Sequence, residues 1–271
     1  MNARTTIKNI LHSILPKKAF DKVRAAYIKH GAPLFNNNDN AVIEQYTTQL
    51  LAQSGYVVIE GPFKGLKYVT SAVGSSFVHK LAGYYEAVLI PYVEEVKKLN
   101  IQHILDIGSA EGYYTTGFGR IFPNASISAF EMDEQGRKLT QEMYTLNGLT
   151  NPLSIQSEAN NTNIVPEIKD NTLLICDCEG AEKTILDIAD KNLFSKIAYG
   201  IIELHDELVP GCKEAVNSYF KDTHSIEIVQ FKMANPIDFS FLRNISNPQH
   251  VYTLLRERGI QNQEWAILRR N

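Results

Sequence analysis

Acidic side chains and a histidine follow two apolar stretches of the sequence that predict neighbouring strands. Asp177 ends the run LLICD, and Glu203, His205 and Asp206 stand at or just after the end of the run at 197–204. Because the carboxyl ends of parallel strands meet at one edge of a sheet, these side chains are expected to lie together. A neutral histidine can take a proton near neutral pH, so we predict His205 as a general base beside a clamp of Asp177 and Glu203. Asp177, Glu203 and Asp206 are also a candidate Mg²⁺ site, since Mg²⁺ prefers oxygen ligands.

Each of these side chains also has a purely structural alternative. Glu179 and Glu182 open the next predicted helix, where carboxylates stabilise the helix N-terminus. His205 could cap a loop. The structural alternative is weakest for Asp177, because a carboxylate at the end of a buried strand costs free energy unless it is paired or bound.

A turn containing two glycines precedes these strands. Residues 105–119 read LDIGSAEGYYTTGFG, in which an apolar run ends at Asp106 and a helix is predicted to follow. Gly108 and Gly112 stand where the backbone must turn sharply and can come close to a ligand. The spacing D-x-G-x-x-x-G differs from G-x-G-x-x-G, which holds a pyrophosphate at a helix N-terminus. The looser turn therefore favours a ligand without phosphate, with an ordinary strand-to-helix turn as the alternative.

An acidic residue ends the next predicted strand. Glu131 follows the segment SISAF and stands 23 positions after Gly108. In α/β folds that bind nucleosides, an acid about 20 residues past the glycine turn holds the ribose hydroxyls. A carboxylate suits this task because it can accept two hydrogen bonds from a vicinal diol. A solvated glutamate at a strand end is the alternative.

Three segments, DIGSAEGYYT, the pair FE that ends the next strand, and DCEGAE at 177–182, occur in that order within 101–204. Together they resemble the FkbM-type family of S-adenosylmethionine-dependent methyltransferases. The resemblance implies that the glycine turn holds the methionine part of S-adenosylmethionine and that Glu131 holds its ribose. It also implies adenine contacts from Met132, Ser157 and Glu158, although Met132 could equally be a surface residue. The cofactor site implied in this way comprises Asp106, Gly108, Ser109, Gly112, Tyr113, Glu131, Met132, Ser157, Glu158 and Asp177.

The resemblance further implies O-methylation of a sugar, a glycan or a related small molecule. Methyl transfer from a sulfonium is a direct displacement, so the enzyme must align the acceptor hydroxyl and remove its proton. Two rival functions remain open. An NAD-dependent oxidoreductase on the same sheet lacks support because the second glycine of G-x-G is missing. A catalytically idle module that binds the cofactor would have no need of Asp177, Glu203 and His205.

Length and composition indicate a single globular α/β domain with additions. Of the 271 residues, 44% are hydrophobic and 21% are charged. The three cysteines are too few for a disulfide framework, and no apolar run approaches the roughly 20 residues of a membrane span. The N-terminus does not resemble a secretory signal. We therefore predict a cytoplasmic protein with reduced thiols.

The N-terminal segment differs in charge from the rest of the chain. Residues 1–30 hold seven Lys or Arg and one acid, a net charge of +6, so the remainder carries −9 of the total of −3. An acidic body argues against a nucleic-acid partner, which would need a basic surface. Apolar residues at helical spacing within 7–15 predict an amphipathic helix. That helix would lie on an anionic membrane or, as we favour, pack on its own domain or on a second subunit of a homo-oligomer.

The predicted fold is α/β, a doubly wound and mostly parallel seven-stranded sheet of the class I methyltransferase, Rossmann-like type. Right-handed crossovers place helices on both faces of such a sheet. Strands are predicted at 101–107, 126–130, 152–156, 172–177, 197–204, 225–231 and 264–269. The resemblance implies that the last strand is antiparallel and that an insertion at 232–263 hangs over the active-site edge. Residues 96–271 then form the methyltransferase domain, and residues 1–95 form an N-terminal helical extension and small cap.

Within the extension, turn residues and apolar periodicity predict a series of short elements. They are a polar linker at 36–40, a helix at 41–54, short strands at 56–59 and 66–70, a loop at 71–77 and, within 80–99, a loop that becomes a helix.

Overall fold

The computed structural model of the chain describes residues 37–73, 75–257 and 263–271. The α-helices are α1 (Asn37–Ser54), α2 (Phe77–Ala82), α3 (Ile90–Val96), α4 (Tyr113–Ile121), α5 (Glu134–Leu146), α6 (Glu182–Ile185), α7 (Cys212–Phe220), α8 (Ser240–Arg243) and α9 (Pro248–Leu255). The strands are β1 (His103–Ile107), β2 (Ser126–Phe130), β3 (Leu153–Gln156), β4 (Thr172–Cys176), β5 (Ile197–Leu204), β6 (His224–Gln230) and β7 (Glu264–Arg270). Short 3₁₀ helices occur at Ala87–Leu89, Val165–Glu167, Lys191–Lys196 and Pro236–Asp238. Within the described ranges, no helix has the length and apolar character needed to cross a membrane.

The seven strands form one sheet in the order β3-β2-β1-β4-β5-β7-β6. Strands β1 to β5 pair in parallel, whereas β7 runs antiparallel to both β5 and β6. This order with a single reversed strand is that of the class I methyltransferase, Rossmann-like fold. The predicted fold class is therefore confirmed, and each predicted strand agrees with the observed one to within two residues at either end.

The sheet separates two apolar cores, which explains why its central strands read as nearly unbroken apolar runs. All five residues of β1 and all five of β4 are buried. Ile104 and Leu173 face the core under α3 and α4, and Leu105 and Leu174 face the opposite core. Successive side chains of a strand point to opposite faces, so a strand buried on both faces needs apolar residues at odd and even positions alike.

The residues before β1 and the excursion between β6 and β7 pack against each other. The carboxylate of Glu60 accepts hydrogen bonds from the backbone N–H and the hydroxyl of Ser240 at the start of α8. The Tyr84 hydroxyl donates to the carbonyl of Leu254 in α9, 3.1 Å away. Helix α1 also packs on α9. The two additions, which we predicted as separate regions at 1–95 and 232–263, therefore share one interface.

Several local predictions in this region differ from the structure. Helix α1 begins at Asn37, so most of the predicted linker at 36–40 is helical. The two short strands around residue 61 reduce to one antiparallel bridge between Val57 and Lys67. Residues 80–82 belong to α2 and not to a loop. The helix ends at Gly83, whose left-handed conformation lets its N–H donate to the carbonyls of His79 and Lys80. The amphipathic helix predicted within 1–30 lies outside the described residues.

Candidate functional site

The glycine turn after β1 lies against the residue that follows β4. The N–H of Asp177 donates to the carbonyl of Ile107 at 2.9 Å. Gly108 has φ +90°, and a Cβ atom there would lie 1.8 Å from the carbonyl oxygen of Asp177. Gly112 also has φ +90°, and a Cβ atom there would lie 2.9 Å from Thr140 of α5. Both glycines are therefore required by backbone conformation and by close packing.

Glu131 reaches back from the end of β2 to the same turn. Its Oε2 accepts the N–H of Ala110 at 2.8 Å, and its Oε1 accepts the N–H of Asp133 at 2.7 Å. Each oxygen keeps a second lone pair, so the half-buried carboxylate can still accept hydrogen bonds from a diol. Burial raises the pKa of the Glu131 carboxyl above its ordinary value, and the two backbone hydrogen bonds only partly offset this rise. The predicted position of Glu131 beside the glycine turn is thus what the structure shows.

Asp106 lies beneath the turn and is tied to the helix that follows it. Its side chain is buried and accepts a hydrogen bond from the hydroxyl of Thr115 in α4. The carboxyl therefore braces β1 against α4, and the cofactor contact implied for Asp106 remains a prediction. Burial raises the pKa of Asp106 to about 7, with the nearby charges of Asp177 and Glu131 adding to the shift.

Ser109 and Tyr113 occupy contrasting surroundings at the turn. The Ser109 hydroxyl is buried and has no hydrogen-bond partner among the described residues. A buried hydroxyl in this condition is expected to meet a ligand or a water. Tyr113 is packed edge-on against Phe63 and Tyr85, with ring centroids 5.1 and 5.8 Å apart. Tyr113 thus belongs to an aromatic cluster beside the turn.

The residues implied for the adenine end are the most open of the set. Met132 is 57% exposed, and Ser157 and Glu158 are exposed after β3. The carbonyl of Glu158 accepts a hydrogen bond from the side-chain amide of Asn163 at 2.8 Å. The adenine contacts of these three residues remain predictions.

Five side chains form what we call the acid–histidine cluster: Asp177, Glu179, Glu182, Glu203 and His205. His205 Nδ1 lies 2.8 Å from Glu182 Oε1, and its Nε2 lies 3.7 Å from Asp177 Oδ1, 3.7 Å from Glu203 Oε1 and 3.8 Å from Glu179 Oε2. Strands β4 and β5 are neighbours, and their carboxyl ends bring Asp177, Glu203 and His205 together as predicted, with Glu179 and Glu182 joining from the turn and helix that follow β4. One imidazole is thereby placed among four carboxylates.

The charge of His205 differs from our expectation of a neutral imidazole. Burial by itself would lower its pKa, but the hydrogen bond and charge of Glu182, together with the charges of Glu203 and Asp177, hold the pKa well above its ordinary value. The same pairing lowers the pKa of Glu182 despite its burial. The raised pKa of His205 favours the protonated imidazole, so a neighbouring carboxylate is the better proton acceptor of the cluster.

Asp206 does not join the cluster, and the predicted cation site changes accordingly. Its two oxygens accept the N–H groups of Gly211 and Lys213 at 3.0 and 2.7 Å, which caps the start of α7. His205 takes its place, because Asp177, Glu203 and His205 each offer one ligand atom and these atoms lie within 4.8 Å of one another. Two carboxylates and one imidazole suit Mn²⁺, Fe²⁺ or Zn²⁺ better than Mg²⁺, which prefers oxygen alone.

Our sequence analysis missed two charged residues of the site. Glu111, inside the glycine turn, is fully buried and pairs with the buried Lys80 of α2 at 2.5 Å. A carboxylate between two closely spaced glycines was a visible signal for Glu111. The partner 31 positions upstream could not be recognised without the fold.

Comparison with known proteins adds a likeness in fold. No protein-family model matches the sequence, and no curated protein sequence matches it. Among solved structures, human methyltransferase 10 domain containing protein is 15% identical with a TM-score of 0.48, covering 86% of this chain and 98% of its own. Precorrin-6y C5,15-methyltransferase from Geobacter metallireducens is 12% identical with a TM-score of 0.44, covering 74% and 92%. A SAM-dependent O-methyltransferase from Thermotoga maritima is 13% identical with a TM-score of 0.43, covering 66% and 63%. At such identities and scores, the assignment of the fold rests on the strand order and the reversed β7 of the chain itself.

Proposed function

We propose that this protein is an S-adenosylmethionine-dependent methyltransferase. One observation carries the proposal: Glu131 accepts the N–H of Ala110 inside the glycine turn, which itself packs against Asp177 at Gly108, and each Glu131 oxygen keeps a second lone pair. A carboxylate that can take a ribose diol therefore lies next to the glycine turn that follows β1. The orphaned hydroxyl of Ser109 supports the same assignment, because it supplies a hydrogen bond where the methionine part of the cofactor would lie.

The cofactor, when bound, supplies an electrophilic methyl group on its sulfonium. The residues of the chain would hold it at three points: the turn at Gly108 to Gly112, Glu131 at the ribose, and Met132 with Glu158 at the adenine. The D-x-G-x-x-x-G spacing of the turn differs from G-x-G-x-x-G, the spacing that holds a pyrophosphate at a helix N-terminus, so the turn is poorly suited to a pyrophosphate. This favours the methyltransferase over the NAD-dependent alternative.

The acceptor in this proposal is a hydroxyl of a sugar, a glycan or a related small molecule. Asp177 and Glu179 are the most accessible carboxylates of the acid–histidine cluster, with side chains 32% and 37% exposed. The hydroxyl would donate its hydrogen bond to Asp177, and its proton would pass to that carboxylate as the methyl group is transferred. The His205 imidazolium, fixed by Glu182, holds Asp177 and Glu203 in place around the acceptor.

We also propose that Asp177, Glu203 and His205 can hold a divalent cation once His205 has given up its proton, because only the neutral imidazole is a ligand. When bound, the cation would lower the pKa of a hydroxyl at this edge. The donor atoms within 4.8 Å of one another support this site, and the hydrogen bond that His205 Nδ1–H donates to Glu182 would fix the orientation of the imidazole ligand. The cluster has four carboxylates against one imidazole, which favours neutral or cationic acceptors and disfavours phosphorylated ones.

The experiment that tests the proposed function compares ligands and one matched pair of variants. Isothermal calorimetry with S-adenosylhomocysteine and with NAD is expected to show binding of the first alone. Glu131→Ala is expected to lose about 1.5–3 kcal/mol of S-adenosylhomocysteine affinity, the scale of a lost charge-assisted pair of hydrogen bonds. Glu134→Ala, which removes a 72% exposed carboxylate three residues away, serves as the control and should bind normally. Binding of NAD without S-adenosylhomocysteine, or normal affinity in Glu131→Ala, would overturn the proposal.

A further inference from the structure

The Glu111 carboxylate connects the glycine turn to the segment that precedes the sheet. It is fully buried and accepts three hydrogen bonds, from the Tyr68 hydroxyl, from the Val73 N–H at 2.9 Å and from Lys80 Nζ at 2.5 Å. All three donors lie within residues 56–86, which we call the pre-sheet segment. None of the steps proposed above uses Glu111, so its burial has another reason.

Lys80 is as unusual as its partner. The side chain is 4% exposed, and its ammonium lies over the rings of Tyr85 and Tyr113 at 4.7 and 5.4 Å from their centroids. A buried ion pair is weak evidence for stability, because desolvation of both charges offsets their attraction. Such a pair is best understood as a device that selects one arrangement of the groups around it.

The arrangement selected here is a strained piece of backbone. Ala110 and Gly112, on either side of Glu111, have φ of +50° and +90°. An alanine in the left-handed region is unfavourable and persists only where its surroundings hold it. On one side, Glu131 holds the N–H of Ala110 and Thr140 donates its hydroxyl to the carbonyl of Ala110 at 3.0 Å. On the other side, Glu111 attaches the turn to the pre-sheet segment.

We infer that Glu111 and Lys80 are a positioning pair for the cofactor turn. By holding Glu111 from the pre-sheet segment, Lys80 keeps Ala110 in the conformation that presents its N–H to Glu131. The same conformation fixes Ser109, whose buried hydroxyl has no partner among the described residues. This inference rests on the proposed function, because it assumes that the turn binds S-adenosylmethionine. It adds that the pre-sheet segment is part of the cofactor site through its bond to the turn.

The test uses the full chain with Glu111→Gln, Lys80→Met and the double variant. Each single variant is expected to weaken S-adenosylhomocysteine binding about 10- to 100-fold, the range seen when a group that orients a ligand-binding residue is removed. Because the two residues act through one contact, the double variant should bind about as weakly as the weaker single variant. Lys80→Arg, which keeps the charge, should recover part of the affinity lost in Lys80→Met.

A control separates positioning from general stability. Phe194 packs on Phe220 in the core of the opposite sheet face, with ring centroids 4.2 Å apart. Phe194→Leu should lower the urea midpoint while leaving S-adenosylhomocysteine affinity unchanged. Amide hydrogen exchange at 108–112 in the ligand-free protein should be faster in Glu111→Gln and unchanged in Phe194→Leu.

The outcomes are distinguishable from failure of the proposed function. If the wild-type chain does not bind S-adenosylhomocysteine, the proposed function fails, and the exchange rates at 108–112 still decide whether Glu111 holds the turn. If the wild-type chain binds but both single variants stay within twofold of it, the positioning role is overturned alone. The same conclusion follows if Phe194→Leu loses as much affinity as Glu111→Gln.

Discussion

Replacing Asp106 with asparagine should remove a specific pH dependence from the stability of the fold. The carboxyl is 1% exposed beneath the glycine turn, and burial raises its pKa to about 7 from the ordinary 3.8. The folded state therefore binds a proton at Asp106 more tightly than the unfolded state does. Between pH 4 and pH 7 this group makes the free energy of unfolding fall as the pH rises, since the native state holds the extra proton there.

The magnitude follows from the size of the shift. The pKa of Asp106 in the folded state lies about two units above pH 5, and each unit corresponds to about 1.4 kcal/mol of unfolding free energy. The wild-type chain should thus lose about 2–3 kcal/mol of unfolding free energy from Asp106 between pH 5 and pH 8. An asparagine side chain at this position keeps an oxygen that can accept the hydrogen bond of Thr115, so Asp106→Asn should change the charge with little change in shape.

The assay is urea unfolding followed by circular dichroism at pH 5, 6, 7 and 8 for both proteins. All other titrating groups are shared, so the difference between the two curves isolates Asp106. We expect that difference to grow by about 2–3 kcal/mol in favour of the variant as the pH rises from 5 to 8. Parallel pH profiles would refute the reasoning, because they would mean that Asp106 is ionised in the folded state at no extra cost.

Two further predictions concern the turn and the cation site. Gly108→Ala should lower the free energy of unfolding by about 3 kcal/mol or more, since its Cβ would meet the Asp177 carbonyl at 1.8 Å. The control is Gly148→Ala, which has φ +64° and no atom within 4 Å of the new Cβ, and which should cost only about 1 kcal/mol of backbone strain. Equal losses for the two variants in urea unfolding would contradict this prediction. Mn²⁺ should raise the melting temperature of the wild type and of Asp206→Asn, whose carboxylate caps α7, but not of Asp177→Asn. An equal response from all three proteins would mean that the acid–histidine cluster does not bind the ion.

The parts of the site that the sequence predicted are those that depend on local pattern and on the rules of parallel sheets. The end of an apolar run places Asp177 and Glu203 at one sheet edge, and the distance along the chain from Gly108 to Glu131 matches one strand-helix-strand unit. Both inferences use only the direction of the strands and the length of a crossover. They required no knowledge of which side chains touch.

The parts that failed depend on competition between neighbouring groups. Asp206 was expected to face the ligand edge, but the unpaired N–H groups at the start of α7 lie nearer and take both of its oxygens. His205 was expected to be neutral, because the sequence could not show that Glu182, then regarded as a helix cap, would meet its Nδ1 at 2.8 Å. Glu111 and Lys80 escaped notice for a similar reason, since their pairing exists only after the pre-sheet segment has docked.

Strain in the backbone gives an independent indication of where the function lies. Within the described part of the chain, four residues other than glycine have φ in the left-handed region: Glu86, Ala110, Asn171 and Glu179. Ala110 belongs to the glycine turn after β1, and Glu179 lies beside Asp177 in the acid–histidine cluster. Glu86 is buried and accepts the hydroxyl of Tyr114 from α4, directly after the helix start that the turn forms. Local conformations that cost free energy persist where the surrounding contacts impose them, and such contacts collect at sites that must hold a fixed geometry. Ala110 and Glu179 thus follow strand ends at one sheet edge, and Glu86 contacts the helix that starts there. Like the burial of Glu111, this strain shows that tertiary contacts, and not local preference, impose the geometry of the turn and of the acid–histidine cluster.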